Sequence, residues 1–201
     1  FTNNAGGGTG IGNIGVKTSI GGTVTVTANN TSPAVFEMYR LVNQTTGGSI
    51  NVQNTIGFIV QADTLLLNSM SITGYVTGQY GRLWNNDITG NITIADDAGY
   101  AGGSNTSVRN NLITGNSTFS NNGSNNFLEG DVAATGNVYN GNVTFNAAGG
   151  PVNISYLDAL QCSGNLTITR TVAGVTSIFN AGGTVAGNFS YTNNTGGPTG
   201  I

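Results

Sequence analysis

Along most of the chain, apolar and polar residues alternate strictly over five positions, then give way to glycine and asparagine, and the cycle restarts. The clearest copies are Gly90-Asn91-Ile92-Thr93-Ile94, Gly115-Asn116-Ser117-Thr118-Phe119, Gly141-Asn142-Val143-Thr144-Phe145, Gly164-Asn165-Leu166-Thr167-Ile168 and Gly187-Asn188-Phe189-Ser190-Tyr191. Their glycines lie 25, 26, 23 and 23 residues apart. Looser copies precede them at Gly22-Thr23-Val24-Thr25-Val26, Gly48-Ser49-Ile50-Asn51-Val52 and Asn68-Ser69-Met70-Ser71-Ile72. A period of two sends the third and fifth residues of each unit to one face of a strand and the second and fourth to the other.

Aligned by unit, the apolar positions form columns. One holds Val24, Ile50, Met70, Ile92, Val143, Leu166 and Phe189, with Ser117 as its exception. The next holds Val26, Val52, Ile72, Ile94, Phe119, Phe145, Ile168 and Tyr191. A third, two residues before each unit, collects Ile20, Leu66, Ile88, Ile113, Tyr139, Cys162 and Val185, with Thr46 as a misfit. A fixed period of this length marks a stacked repeat architecture. The Gly, Asn and β-branched content disfavours helix by up to ~1 kcal/mol per residue. The expected fold is therefore all-β, a single-stranded parallel β-helix of about eight coils, with roughly 24 residues and three short strands per coil. Further strands are expected around Val35-Phe36, Phe58-Ile59-Val60, Leu83-Trp84, Phe127-Leu128, Ile154-Tyr156 and Ile178-Phe179. Glycine corners are expected at Ala101-Gly102-Gly103-Ser104, Gly149-Gly150-Pro151 and Gly182-Gly183. The repeats span residues 22–191. Residues 1–21 are read as a Gly/Asn-rich segment with a first coil, and residues 192–201 as a Gly/Asn/Thr segment available for contact between subunits.

Composition narrows the function. The chain has 201 residues, 33 of them Gly, 30 Asn and 28 Thr, and only 6% are charged, against about 25% in ordinary globular domains. Five Lys plus Arg, unclustered, give no basic stripe for nucleic acid. No run approaches the roughly 18 apolar residues of a membrane span, so membrane insertion is not expected. Histidine is absent, which removes the commonest general base and metal ligand. A single cysteine, Cys162, sits in the third apolar column and reads as a small buried hydrophobe. The opening Phe1-Thr2-Asn3-Asn4 is unlike a secretion signal and reads as the start of a processed or excised chain.

Stacked units of the Gly-Asn-x-Thr-Phe kind followed by Gly-rich corners resemble the β-helical repeat arrays of secreted and cell-surface proteins, including those of Bacteroidetes. The likeness runs from about Gly22 to Tyr191. It implies an extracellular structural or adhesive protein.

Enzymes built on β-helices gather carboxylates on one face. Here Glu37, Asp63, Asp87, Asp96, Asp97, Glu129, Asp131 and Asp158 share few columns, and an enzyme is not expected. Asp96-Asp97 and the Glu129, Asp131 pair read as solvated turn carboxylates. A calcium site completed by backbone carbonyls is the one cofactor they leave open. The run Gly6-Gly7-Gly8-Thr9-Gly10-Ile11-Gly12 precedes no helix that could receive a phosphate. The Asn-x-Thr/Ser triplets at Asn91, Asn142 and Asn165 are by-products of the outward columns, and acceptors only in a host that glycosylates.

The outward columns carry the functional expectation. Thr25, Asn51, Ser71, Thr93, Thr118, Thr144, Thr167 and Ser190 should align in one file. Thr23, Ser49, Ser69, Asn91, Asn116, Asn142, Asn165 and Asn188 should align in the next. Such a face can pack against another solenoid, dock a glycan or order water. Neither end of the repeat shows a capping element, so head-to-tail association of the chain with itself into an open filament is expected, unless the chain is an excerpt of a longer array. The leading reading is a structural protomer of an extracellular filament or surface fibre. A carbohydrate- or surface-binding adhesin is the chief alternative, with an ice-binding solenoid and a polysaccharide-acting enzyme behind it.

Overall fold

The computed structural model describes residues 2–3, 9–12, 15–29, 35–42, 44–75, 81–96, 105–123, 126–129, 136–149, 154–157, 160–172, 176–179, 182–195 and 199–200. The chain is an all-β parallel solenoid of about 23 residues per turn. Among the described residues one sheet has nine strands, and Ser69–Tyr75, Asn91–Asp96, Ser117–Asn121, Val143–Ala147, Leu166–Arg170 and Phe189–Asn193 lie in sequence order along it. Every pairing is parallel, because each strand meets the equivalent strand of the next turn. The five-residue units stack in register: Ile92 on Ser117, Ser117 on Val143, Val143 on Leu166 and Leu166 on Phe189. Ser117, the polar exception, is as buried as its neighbours.

The second sheet wraps the rest of each turn. In the early turns it is made of long strands, Val35–Val42 and Gly57–Leu65. From the next turn onward this single strand becomes two. Gly81–Trp84 pairs with Phe58–Val60 and Asn86–Ile88 with Asp63–Leu65, so the turn acquires the expected three strands. The break falls at Asn85, which adopts φ 56°, and its counterpart Asn110 adopts φ 53°. Short polar asparagine tolerates this left-handed conformation by bonding locally. The strands expected around Phe127-Leu128, Ile154-Tyr156 and Ile178-Phe179 are present as Asn126–Glu129, Ile154–Leu157 and Thr176–Ile178, the last ending before Phe179.

Between the sheets lies a narrow apolar core with aromatic residues stacked along the axis. The Phe119 and Phe145 rings lie 5.0 Å apart and nearly parallel, and Tyr139 meets Phe119 edge-on at 6.3 Å. Ile88, Ile113, Tyr139 and Cys162 pile in register as the third column.

Four expectations need correction. The first unit is shifted by two residues: Val26 stacks on Ile50 and Ala28 on Val52, while Val24 lies level with Gly48. A two-residue slip preserves which side chains face inward, so the Val24-Val26-Ala28 alternation alone cannot fix the register. Leu65, not Leu66, stacks on Ile88, and Leu66 is half-buried. Phe189 keeps its register but is 39% exposed, and Tyr191 and Val185 are only partly buried, because no described layer covers the last one. For the same reason the closed core, running from Val26 to Ile168, makes about six turns and not eight. The corners at residues 101–104, 150 and 151 lie outside the described residues, while Gly182 has φ 86°.

Glycine at the head of the units from Gly90 onward is required by close approach. A Cβ on Gly141 would lie 2.5 Å from the Gly115 carbonyl oxygen, and one on Gly115 would lie 2.4 Å from the Gly90 carbonyl carbon. Both obstacles are backbone, which cannot rotate away. Gly141→Ala should therefore destabilise the protein by about 1–3 kcal/mol in urea unfolding. Gly22→Ala, where an added Cβ meets nothing within 4 Å, should stay within ~0.5 kcal/mol of the parent.

Candidate functional site

The outer face of the nine-stranded sheet is built directly from the polar positions of the units. Its middle file runs Thr27, Asn51, Ser71, Thr93, Thr118, Thr144, Thr167, Ser190, each in register with the next. The first member is Thr27 where Thr25 was expected, and Thr25 moves into the neighbouring file opposite Ser49, a consequence of the two-residue shift. A further file, not singled out from the sequence, runs Asn29, Gln53, Thr73, Ala95, Ser120, Asn146, Thr169, Thr192. No charged residue stands in any of these files. The result is a flat bed of hydroxyls and amides.

The asparagine file also serves the fold. The Asn116 N–H donates to Asn91 Oδ1 at 2.8 Å, Asn142 to Asn116 and Asn165 to Asn142 at 2.9 Å, and Asn188 to Asn165 at 2.8 Å. The side chains of Asn91, Asn116, Asn142 and Asn165 thus each satisfy a backbone donor at the Gly-Asn bend of the next layer. These residues were expected as contact positions; the structure gives their Oδ1 atoms to the stack.

A second ladder is buried and was missed in the sequence. Asn86, Asn111 and Asn137 follow one another at the corner between the two strands of the second sheet, all at most 2% exposed. The Asn111 Nδ2 donates to Leu83 O, Arg109 O and Asn137 Oδ1 at 2.8–2.9 Å, and its Oδ1 accepts the Asn86 N–H at 3.0 Å. Asn86 repeats the arrangement on Val60 O and Trp84 O, and Asn137 on Val108 O. The available signal was the Asn85-Asn86 and Asn110-Asn111 pairs, each ending two residues before the third apolar column.

One acidic residue behaves differently from expectation. Asp96 was read as a solvated turn carboxylate, yet it is 2% exposed. Its carboxylate accepts the backbone N–H of Asn122 and, at 3.3 Å, that of Gly123. Its placement at a buried strand end, where the next layer presents bare donors, explains the difference. Asp97, Asp131 and Asp158 lie outside the described residues, as does the Glu129 side chain. Asp63 faces Lys17 at 3.8 Å and Arg40 at 3.6 Å on the surface. Among the described residues no three His, Cys, Asp or Glu side chains converge on one point. Of the glycine run, residues 6–8 are not described, and Thr9–Ile11 is a strand paired with Phe36–Met38.

Glu37, Arg40, Asp63, Arg82, Asp87 and Arg109 lie on strands of the second sheet, whereas the buried Asp96 and Arg170 belong to the first. Arg109 lies in register with Trp84, its guanidinium 3.6 Å from the ring centroid, and Arg82 lies 4.6 Å from it. The indole N–H donates to Ser107 Oγ at 3.1 Å. Glu37 and Ile59 continue the Arg82 file. This patch was also missed; its signal is the Arg82-Leu83-Trp84 triplet with Arg109 one period on.

Cys162 is buried, as expected from its column. Burial pushes its thiol pKa up, with a backbone hydrogen bond at Gly164 pulling the other way. No protein family, curated protein or solved structure matches the chain.

Asn111→Ala should cost about 2–4 kcal/mol, since it strands several buried backbone groups at roughly 1–3 kcal/mol each. Asn142→Ala, which removes one exposed bond, should cost only about 0.5–1.5 kcal/mol. Paired denaturation curves measure the difference. Cys162 should resist Ellman's reagent in the folded protein at pH 7 and react fully once urea unfolds it.

Proposed function

We propose that the chain is a non-enzymatic structural protomer of an extracellular filament or surface fibre, joined head to tail along the solenoid axis. One observation carries this reading: among the described residues, apolar surface is left open at both ends of the closed core. At one end Phe189 is 39% exposed, beside a partly buried Tyr191. At the other, a recess of about 260 Å³ is lined by Ile11, Ile20, Val24 and Val26 with Thr23 and Thr25. Strand Phe189–Asn193 is also the last described strand of its sheet. An apolar projection and an apolar recess on opposite ends are complementary in a heterologous sense, and such a contact propagates without closing.

The adhesin reading is supported by a different observation, the Trp84 ring flanked by the Arg82 and Arg109 guanidiniums on the second sheet. Two cations and an aromatic surface suit a saccharide bearing carboxylates. It stands second because Arg109 already occupies the ring at stacking distance.

Negative-stain microscopy should show wild-type protein as unbranched filaments. Phe189→Asp should leave discrete, folded particles with an unchanged circular dichroism spectrum, raising the critical concentration at least about tenfold, the equivalent of 1.4 kcal/mol. Discrete wild-type particles at millimolar concentration would sink the proposal.

A further inference from the structure

We infer that the uncharged face of the nine-stranded sheet is a lateral contact surface whose occupant is the same face of a second copy of this chain, so that filaments associate side by side. This rests on the filament reading above but on different residues. The strands of this face from Thr25–Asn29 to Phe189–Asn193 are five to seven residues long, and stacked files of hydroxyls and amides run across all of them.

Three physical arguments select a second copy. The first is commensurability. Files of Thr118, Thr144 and Thr167 repeat at the spacing of adjacent strands, about 4.8 Å. Only a partner with the same repeat stays in step with them over the whole length, and an identical rod has that repeat by construction. The second is charge. With no ionised group in the files, two like faces meet without repulsion and without stripping water from ions. The second sheet, carrying Glu37, Arg82 and Arg109, lacks that property. The third is area. Eight strands, each about 4.8 Å across and about 17 Å long, give roughly 650 Å² per copy, or about 1,300 Å² for a pair. This falls within the range of specific interfaces, about 1,200–2,000 Å².

The face also lacks the aromatic anchors that concentrate binding energy. A single pair of protomers is therefore weakly held. Repetition along a filament converts the weak contact into a strong one, because each junction raises the effective concentration of the next. Bundling should follow polymerisation and not precede it.

The test uses the full chain and three proteins: wild type, the double variant Thr118→Glu with Thr144→Glu, and Gln61→Glu as a control on the second sheet. Wild-type filaments should lie in side-by-side bundles by microscopy, and the bundles should persist from about 0.05 to 0.5 M salt, since no ion pairs hold them. The double variant should form single filaments of normal length, with at least a tenfold fall in bundle-pelleted protein, and Gln61→Glu should bundle normally. Bundles that survive in the double variant, dissolve in salt or vanish equally with Gln61→Glu would overturn the inference. Should wild type form no filaments, the axial reading fails on its own. Sedimentation at high concentration then decides the lateral one: wild-type pairs lost in the double variant support it, and monomers throughout overturn it. Glycan-array binding lost in the double variant while bundling is unchanged would assign the face to a saccharide instead and overturn the inference.

Discussion

The whole molecule depends on backbone hydrogen bonds that run along the axis and hold each turn one strand spacing from the next. Because that spacing is fixed, every residue has one neighbour above and one below, and the sequence must place compatible residues one turn apart. The constraint is tightest at the glycine file, where Gly90, Gly115, Gly141, Gly164 and Gly187 approach so closely that any Cβ would meet the backbone of the preceding turn. It is loosest at the corners, where turn length varies. Core files tolerate exchange of one apolar residue for another, as the stack of Ile94, Phe119, Phe145 and Ile168 shows.

Stacking like on like also governs how polar groups are buried. A primary amide is both donor and acceptor, so a column of asparagines can bond to itself indefinitely and still reach the strand-end carbonyls on either side. The buried Asn86, Asn111 and Asn137 do this at a corner where two strands part and leave backbone groups without ladder partners. The exposed Asn91 to Asn188 series solves a milder version of the same problem at the Gly-Asn bend. Asp96 supplies an acceptor where donors alone need one. Each case follows from the cost of leaving a buried backbone group unpaired, about 1–3 kcal/mol.

These facts explain what could and could not be read from the sequence. The unit from Gly90 onward was legible because the glycine pins its start, and strict alternation then assigns every face. The first unit was not, because Val24, Val26 and Ala28 alternate equally well in two registers and Gly22 is not held by contact with the next turn. Leu65, Leu66 and Leu67 defeat a hydrophobicity argument outright, since all three are equally apolar and only pairing to Ile88 selects the inward pair. The buried asparagines were hidden by their surroundings: in a chain with 30 Asn, two adjacent ones look like a turn. The Arg82, Trp84 and Arg109 cluster is visible only once turns are aligned, because it joins residues 25 positions apart.

Two kinds of surface remain after the core and ladders are satisfied, and they differ in the forces they can use. At the ends, burial falls from complete at Leu166 to 39% exposed at Phe189 across a single layer. What is left there among the described residues is apolar area, whose burial in a contact would strengthen with warming because apolar burial is entropic near room temperature. Along the side, what is left is a neutral polar bed with no apolar anchor, whose contacts trade water hydrogen bonds for protein ones at little net gain. In the proposed filament, axial contact would therefore have the larger intrinsic free energy and lateral contact the larger multiplicity. Order along the axis would come first there, because only a long array of identical layers gives a weak side face enough repeats to hold.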